Sequence, residues 1–342
     1  MYINVRDGYQ LASKLTFNRI KNAWRIYRSF SKSRKNGQAQ ISGLPISLTV
    51  EPTTACNLRC PECPSGLRSF TRPTGRLDPA LFTKVIDELS DTLFYLIFYF
   101  QGEPFLHPDL ISMIRYAADK RIYTATSTNA HFLNDKAAQE IVKSGLDRLI
   151  ISIDGATQET YEAYRKTGEL SEVLAGTERI LYWKKELKSP TPNVVWQFLV
   201  VAPNEHEIPL IKRMAKEYGV DSVAFKTAQI YDFEEGNELI PKNSKYSRYA
   251  KGADGKYHIK NKMLDECWKM WHSCVMTWDG KVVPCCFDKD AHHVLGSTAN
   301  KTFSEIWNGE NYTAFRDQIL NARTEIEMCK NCSEGTPVWA KA

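Results

Sequence analysis

Three cysteines close together constrain this chain more than any other feature of its sequence. Cys56, Cys60 and Cys63 directly follow the apolar run 46–50, which prolines bound on both sides and which predicts a buried β-strand. Three thiolates are one ligand short of a tetrahedral structural zinc site. They can hold three irons of a cubane iron-sulfur cluster, whose fourth iron then stays open to another ligand. A zinc knuckle completed by a distant ligand and three buried thiols are the alternatives.

A second group of cysteines lies near the end of the chain. Six of the nine cysteines follow residue 266: Cys267, Cys274, Cys285, Cys286, Cys329 and Cys332. Nothing at the N-terminus resembles a secretory signal, so the clustering indicates metal ligation in a reducing compartment and predicts a cytoplasmic protein. The longest apolar run, 93–100, is too short to span a membrane and is typical of a central strand.

From residue 45 onward, strand-like and helix-like stretches alternate. We predict strands at 46–51, 93–100, 121–127, 147–153, 194–201 and 221–226, and helices near 78–90, 108–120, 135–144, 171–188 and 205–218. Six such units predict an α/β fold with a parallel sheet. In parallel barrels the site forms at the carboxyl ends of the strands, so the residues after each strand are candidates for function.

The CxxxCxxC spacing after a first strand resembles the cluster motif of the radical SAM superfamily. This resemblance implies a partial (β/α)6 TIM barrel and a 4Fe-4S cluster held by Cys56, Cys60 and Cys63. It further implies that the open iron binds S-adenosylmethionine (SAM), whose one-electron cleavage gives a 5'-deoxyadenosyl radical. Glu62 stands where the family usually has an aromatic residue.

Segments after the next three strands resemble further motifs of this family. The run 101–104 (Gln-Gly-Glu-Pro) resembles its GGEP motif, the run 127–129 (Ser-Thr-Asn) resembles its Ser/Thr-Asn pair, and the stretch 152–165 resembles its fourth-strand segment. The residues implied to bind SAM are Gly102, Glu103, Ser127, Asn129, Ser152, Asp154 and Arg165. A turn role for 127–129 and a solvated charge at Arg165 are the alternatives. Gln197 could contact a ligand or make a structural hydrogen bond.

The second cysteine group resembles a SPASM domain, through the spacing Cys267, Gly280, Cys285 and a later Cys329-x-x-Cys332 pair. The resemblance implies a small C-terminal domain of the shorter, Twitch-like form with one auxiliary 4Fe-4S cluster. Its implied ligands are Cys267, Cys285, Cys329 and Cys332, with Cys274 and Cys286 as alternatives. A zinc site is a further alternative, because four cysteines ending in CxxC also suit a zinc ribbon.

Three local predictions accompany this second group. Residues 278–284 predict a β-hairpin with an Asp-Gly turn. Thr302, with Glu305 three residues later, predicts a capped helix over 302–309. Asp288 is a candidate catalytic group that would deprotonate the substrate, or else a loop cap.

Residues 1–40 are strongly basic, with nine Lys or Arg and the single acid Asp7. Phe17, Ile20, Trp24 and Tyr27 recur at three-to-four spacing, which predicts an amphipathic helix. We expect it to lie across the barrel with its basic face in water; an anionic partner, a leader peptide or a membrane surface are alternatives. The predicted domains are an N-terminal helical segment, a barrel, a linker and a cluster domain, over 1–44, 45–230, 231–264 and 265–342.

Together these features predict a radical SAM oxidoreductase that abstracts a substrate hydrogen and passes an electron to the auxiliary cluster. Dehydrogenation of a small molecule or carbohydrate is favoured, because residues 1–45 are too few for a winged-helix leader-peptide domain. Peptide or protein modification is the alternative. The resemblance also implies an electron donor such as flavodoxin or ferredoxin. A non-catalytic zinc protein bound to nucleic acid is a third hypothesis, although 1–40 shows no base-reading module.

Overall fold

The computed structural model describes residues 4–333, and its strands form a nine-stranded sheet and a separate two-stranded one. The strands are β1 Ser47–Val50, β2 Tyr95–Ile97, β3 Tyr123–Thr128, β4 Arg148–Ser152, β5 Asn193–Val200, β6 Ser222–Thr227, β7 Tyr249–Lys251, β8 Tyr257–Ile259, β9 Ser273–Met276, β10 Lys281–Val283 and β11 Gly296–Ser297. Strands β1 to β6 pair in sequence order and in parallel, which confirms the predicted α/β fold.

Helices connect these strands and cover the sheet. They are α1 Val5–Ser13, α2 Phe17–Asn36, α3 Pro64–Leu67, α4 Pro79–Leu89, α5 Leu110–Asp119, α6 Asp135–Lys143, α7 Gln158–Tyr164, α8 Leu170–Glu186, α9 Ile208–Tyr218, α10 Lys269–His272, α11 Phe303–Trp307, α12 Glu310–Ala322 and α13 Glu327–Lys330. No helix within residues 4–333 is long and apolar enough to cross a membrane.

Local sequence signals account for many of these boundaries. The Asp78 side chain accepts a hydrogen bond from Ala80 N and caps α4, whose first residue is Pro79. Gly219 ends α9 in the left-handed conformation at φ 77°. Strand β2 is shorter than its apolar run, because residues 98–100 leave the ladder and lead into the loop after the strand.

The C-terminal region extends the sheet beyond β1. Strand β9 pairs in parallel with β1 and antiparallel with β10, so the predicted hairpin is confirmed and Gly280 lies in its turn at φ 79°. The pairing of β9 with β1 joins residues more than 200 positions apart, and no local pattern predicts it. The cysteine-rich region is therefore continuous with the barrel sheet.

The predicted linker 231–264 is folded. It contains the antiparallel pair β7 and β8 and a 3-10 turn at Ser244–Tyr246. Tyr249 is buried, and its hydroxyl donates to the Ile230 carbonyl oxygen at 3.0 Å and contacts Asn331 Oδ1 at 2.9 Å. This segment therefore packs against both the barrel and the C-terminal region.

Helices α1 and α2 cover the amino-terminal end of the barrel. Asp7 binds Arg148 and Tyr123 at the starts of β4 and β3, and the Lys14 ammonium lies 3.2 Å from Asp147. These contacts hold the N-terminal helices at the end of the barrel opposite to the carboxyl ends of the strands. The basic face of α2 lies in water as expected, but Phe17, Ile20, Trp24 and Tyr27 also face solvent.

Candidate active site

A cavity of about 290 Å³ lies at the carboxyl ends of the parallel strands. Cys56, Cys60 and Cys63 all line it, so the fold brings the three predicted cluster ligands to one wall. A Cβ on Gly66 would lie 2.6 Å from Cys60 N, so only glycine lets α3 pack this closely on the cysteine loop. Burial raises the pKa of Cys56 to about 12, and ligation to a metal deprotonates such a thiol.

Glu103 lines the same cavity at the end of β2. Its carboxylate accepts hydrogen bonds from Thr128 Oγ1 at 2.7 Å and from Asn129 N at 2.8 Å. Burial raises the pKa of Glu103 to about 7 despite these bonds. Because a buried carboxylate gains most from a cation beside it, Glu103 suits the ammonium group of an amino acid.

Arg165 supplies a guanidinium to the wall of the same cavity. Its Nε donates to Asp154 Oδ2 and its Nη1 lies 3.9 Å from Cys60 Sγ. The Asp154 and Cys60 charges raise the pKa of Arg165 well above its usual value, although burial opposes them. Asp154 itself is fully buried and is absent from the cavity lining, so we propose that it positions Arg165, and its contact with SAM stays a prediction.

The remaining residues predicted to bind SAM also meet here. Gly102, Ser127, Asn129 and Ser152 line the cavity, as does Gln197. Asn129 Nδ2 donates to Asn57 Oδ1 at 2.7 Å and thereby ties this wall to the cysteine loop. Three thiols, a carboxylate and a guanidinium around one cavity match a cluster that carries a zwitterionic amino-acid group, so the residues present fit the predicted cofactors.

The four predicted auxiliary ligands are also brought together. Cys267, Cys285, Cys329 and Cys332 are buried and line one small cavity, where Arg323 Nη2 donates to Cys332 Sγ at 3.4 Å. Within residues 4–333 no group of His, Cys, Asp or Glu side chains is spaced to hold a single metal ion.

Three other predicted residues have different surroundings. The Asp288 carboxylate accepts hydrogen bonds from His292 N at 2.8 Å and His293 N at 2.9 Å and does not line the inner cavity. These contacts are those of a loop cap, the alternative role, and the catalytic role of Asp288 stays a prediction. Cys274 and Cys286 lie outside the four-thiol cavity, and Lys269 Nζ donates to Cys286 Sγ at 3.4 Å.

The sequence did not single out three cations that line the cavity. Lys226 lies near the end of β6, Arg248 lies in the predicted linker, and Lys289 follows the Cys285-Cys286 pair. Lys226 follows an apolar run at the carboxyl end of a strand, which is a signal that could have identified it. Arg248 has no such signal, because its place depends on the fold of 231–264.

Comparison with known protein families supports this geometry. The family description "Radical SAM superfamily" matches residues 50–223, which is more than half of the chain. This chain belongs to the radical SAM superfamily. A second description, "Iron-sulfur cluster-binding domain" (SPASM), matches residues 267–333. The protein is thus a radical SAM enzyme of the SPASM type, with SAM, a 4Fe-4S cluster and auxiliary iron-sulfur binding as its implied cofactors.

Curated relatives of this radical SAM enzyme differ in activity. One is the tungsten-containing aldehyde ferredoxin oxidoreductase cofactor-modifying protein of Pyrococcus furiosus, 24% identical over 84% of this chain and 86% of that protein. Another is the SAM-dependent 2-deoxy-scyllo-inosamine dehydrogenase of Niallia circulans, 24% identical over 84% and 92%. A third is the PqqA peptide cyclase of Gluconobacter oxydans, 24% identical over 86% and 84%.

Solved structures share the fold. BtrN in complex with AdoMet and 2-DOIA has a TM-score of 0.52 at 20% identity and covers 85% of this chain and 94% of that one. Streptococcus suis SuiB bound to S-adenosylmethionine has a TM-score of 0.63 at 13% identity and covers 91% and 77%. The partial TIM barrel of this family is therefore the architecture of residues 47–227.

Proposed function

We propose that this enzyme dehydrogenates a small anionic substrate, such as a sugar phosphate or an acidic sugar, at an alcohol carbon. The observation that carries the proposal is the cationic wall formed by Lys226, Arg248 and Lys289 in the cavity that the three thiols line. When bound, the SAM cluster supplies the radical that removes the substrate hydrogen, and an auxiliary cluster supplies an electron acceptor. The overall reaction converts one alcohol and one SAM into one ketone, methionine, 5'-deoxyadenosine and a proton.

Arg248 offers the clearest indication of an anion. Its Nε and Nη2 donate to the Thr227 carbonyl oxygen at 3.2 and 3.0 Å. Its Nη1 is buried and has no hydrogen-bond partner among the described residues. A buried donor without an acceptor is costly, so an anionic oxygen bound in the cavity would satisfy this group.

Lys226 and Lys289 add positive charge to the same wall. Burial, together with the positive charge of the neighbouring Arg248, lowers the pKa of Lys226 to about 8. Burial also lowers the pKa of Lys289, whose ammonium lies 4.7 Å from the centre of the Tyr231 ring. Glu62 is the acid nearest to this wall within the cavity lining. The excess of cations favours a substrate with a phosphate or carboxylate group.

The positive charge of this wall also indicates that the proposed substrate differs from the substrate of one relative. An inosamine carries an amine that is cationic at neutral pH, and a cationic wall repels it. The likeness to 2-deoxy-scyllo-inosamine dehydrogenase therefore supports the dehydrogenation chemistry, whereas the cavity favours a different substrate charge.

Binding of inorganic pyrophosphate to the reconstituted, SAM-bound enzyme tests this charge preference. We expect calorimetry to detect binding to the wild type and about tenfold weaker binding to Arg248→Gln. Lys242→Gln changes an exposed lysine of the same segment and should bind as the wild type does. If the cations only balance the charge of the cluster, Arg248→Gln will instead lose SAM cleavage in the absence of substrate.

Peptide modification is the second candidate, because an outer groove of about 720 Å³ adjoins the inner cavity. The two share Gln229 and Lys289, and Tyr231, Phe233 and Met328 add apolar surface to the groove. SuiB has been solved with its precursor peptide SuiA, which shows that a relative of this fold accepts a peptide. The two candidates can be distinguished by incubating the enzyme with SAM and reductant, once with hexose phosphates and once with a peptide library. The substrate is the one that is converted to product together with the formation of 5'-deoxyadenosine.

The hypothesis of a non-catalytic zinc protein bound to nucleic acid is wrong, because the chain belongs to an enzyme family.

A further inference from the structure

Helix α2 exposes four large apolar side chains and buries several polar ones. Phe17, Ile20, Trp24 and Tyr27 are between 54% and 78% exposed. The buried residues of the helix are Arg19, Asn22, Ile26, Ser29, Phe30 and Ser33. The amphipathic pattern of the sequence is therefore present, but its aromatic row points away from the barrel.

Specific contacts fix this rotation of the helix. The Arg19 guanidinium donates to the carbonyl oxygens of Ser90, Lys120 and Arg121, which lie in loops at the amino-terminal end of the barrel. Asn22 exchanges two hydrogen bonds with the Leu44 backbone, at 2.7 and 2.9 Å. Turning the aromatic row inward would break all of these bonds and would leave the carbonyl oxygens without donors. The exposed row is thus a consequence of the packing.

A basic row runs beside the aromatic one. It consists of four exposed residues, Lys21, Arg25, Arg28 and Lys32. Most of them directly follow a residue of the aromatic row, and consecutive residues of an α-helix are about 100° apart around its axis, so the two rows lie side by side. The Arg28 guanidinium lies 4.6 Å from the centre of the Trp24 ring. Residues 8–40 contain no Asp or Glu. We define the docking face as Phe17, Ile20, Trp24 and Tyr27 together with these four cations.

We propose that the docking face binds the surface of an anionic lipid bilayer. Aromatic and aliphatic side chains beside lysines and arginines are the composition that lies at the boundary between headgroups and acyl chains. The cations complement anionic headgroups. A second copy of this chain is a poorer partner, because a twofold contact through this face would bring the two basic rows together. The enzyme would bind to the surface of the bilayer through α2, at the amino-terminal end of the barrel.

This placement has a consequence for access to the site. The contacts of α1 and α2 are at the starts of β3 and β4, whereas the cavity lies at the ends of the same strands. A bilayer bound at the docking face would therefore leave the cavity mouth directed away from the lipid. The proposal is independent of the substrate, because no residue of the docking face lines the cavity.

Sedimentation with lipid vesicles tests the proposal on the full chain. We expect the protein to sediment with vesicles of phosphatidylcholine containing about 30% phosphatidylglycerol, and not with pure phosphatidylcholine. The double variant Ile20→Ser, Trp24→Ser should reduce binding by at least about tenfold, and Lys21→Gln, Arg25→Gln should do the same at physiological salt. Tyr182→Ser and Lys185→Gln alter exposed residues of α8 and should bind as the wild type does.

Two results would overturn the proposal. One is wild-type protein that stays in the supernatant with phosphatidylglycerol vesicles at low salt. The other is a dimer in gel filtration that Trp24→Ser converts to a monomer, which would make the face an interface between copies. Thermal unfolding of each variant confirms that it is folded, and we expect unchanged midpoints because the altered side chains are exposed.

Discussion

The buried carboxylate of Asp154 positions the guanidinium of Arg165 at the edge of the cavity. Asp154 Oδ2 accepts a hydrogen bond from Arg165 Nε, and Asp154 Oδ1 accepts one from Leu199 N at 2.6 Å. Asp154 is therefore fixed by β5 and in turn fixes Arg165. The motif predicts both residues as SAM contacts, whereas we propose that Arg165 makes the contact and that Asp154 positions it, because Asp154 does not line the cavity.

Replacing Asp154 should therefore weaken SAM binding without removing a group that touches SAM. We expect Asp154→Asn to weaken SAM binding by about tenfold, since a charge-assisted hydrogen bond to Arg165 is lost, which corresponds to about 1.5 kcal/mol. Equilibrium dialysis of SAM under anaerobic conditions measures this. Asp221→Asn is the control, because Asp221 pairs with Lys184 at the other end of the barrel. Equal SAM affinities in the two variants would contradict the positioning role.

Gly102 and Gly219 allow the effect of backbone strain to be separated from that of crowding. Both have left-handed backbone, at φ 74° and 77°. A Cβ on Gly102 would lie 2.2 Å from the Thr53 carbonyl oxygen, whereas one on Gly219 meets nothing within 4 Å. We expect Gly219→Ala to cost about 1 kcal/mol and Gly102→Ala about 3 kcal/mol or more. Denaturant unfolding measures both, and similar costs would show that the loop at Gly102 can move aside.

Much of the barrel could be predicted from the sequence. The six parallel strands begin and end within about three residues of their predicted limits, because apolar runs bounded by turn residues determine buried strands. The predicted SAM and cluster residues lie together, because they directly follow strands whose carboxyl ends meet at one end of a parallel sheet. Asp154 is the exception, because it does not line the cavity. The alternation of side chains along β4 does not reveal that a backbone N–H of β5 will donate to the Asp154 carboxylate.

Other features depend on contacts that no local pattern reveals. The rotation of α2 follows from Arg19 and Asn22, polar residues whose partners are backbone carbonyl groups distant in sequence. Apolar periodicity therefore predicts the helix correctly but does not reveal that its aromatic row faces solvent. In the same way, the parallel pairing of β9 with β1 and the place of Arg248 in the cavity wall arise only when distant segments come together.

The assignment of the auxiliary ligands can be tested by iron content. Reconstituted protein with two cubane clusters should contain about eight irons, and Cys329→Ala should contain about four. Cys274→Ala is the matched control, because Cys274 is equally buried but lies outside the four-thiol cavity. SAM cleavage without substrate should persist in Cys329→Ala, since its three-thiol loop is intact. If Cys274→Ala lost iron and Cys329→Ala did not, Cys274 would be the cluster ligand in place of Cys329.

Lys226 should give the binding of an anionic substrate a characteristic pH dependence. Burial lowers the pKa of Lys226 to about 8, so the ammonium is charged below this pH and becomes neutral as the pH rises through it. The other charged or titratable groups that act on it are Arg248, Lys269, Cys286 and Asp154. Anion affinity should be constant up to about pH 7 and should then fall, approaching about tenfold per pH unit if only the charged form binds.

The variant Lys226→Arg separates this titration from that of its neighbours. An arginine stays charged across this range, so the affinity of the variant for pyrophosphate should not fall between about pH 7 and pH 9. Calorimetry on the SAM-bound enzyme measures both profiles. A decline in the variant equal to that of the wild type would assign the titration to another group of the protein. Because pyrophosphate gains negative charge as the pH rises, ionisation of the ligand alone would strengthen binding, which is the opposite direction from the loss of the Lys226 charge.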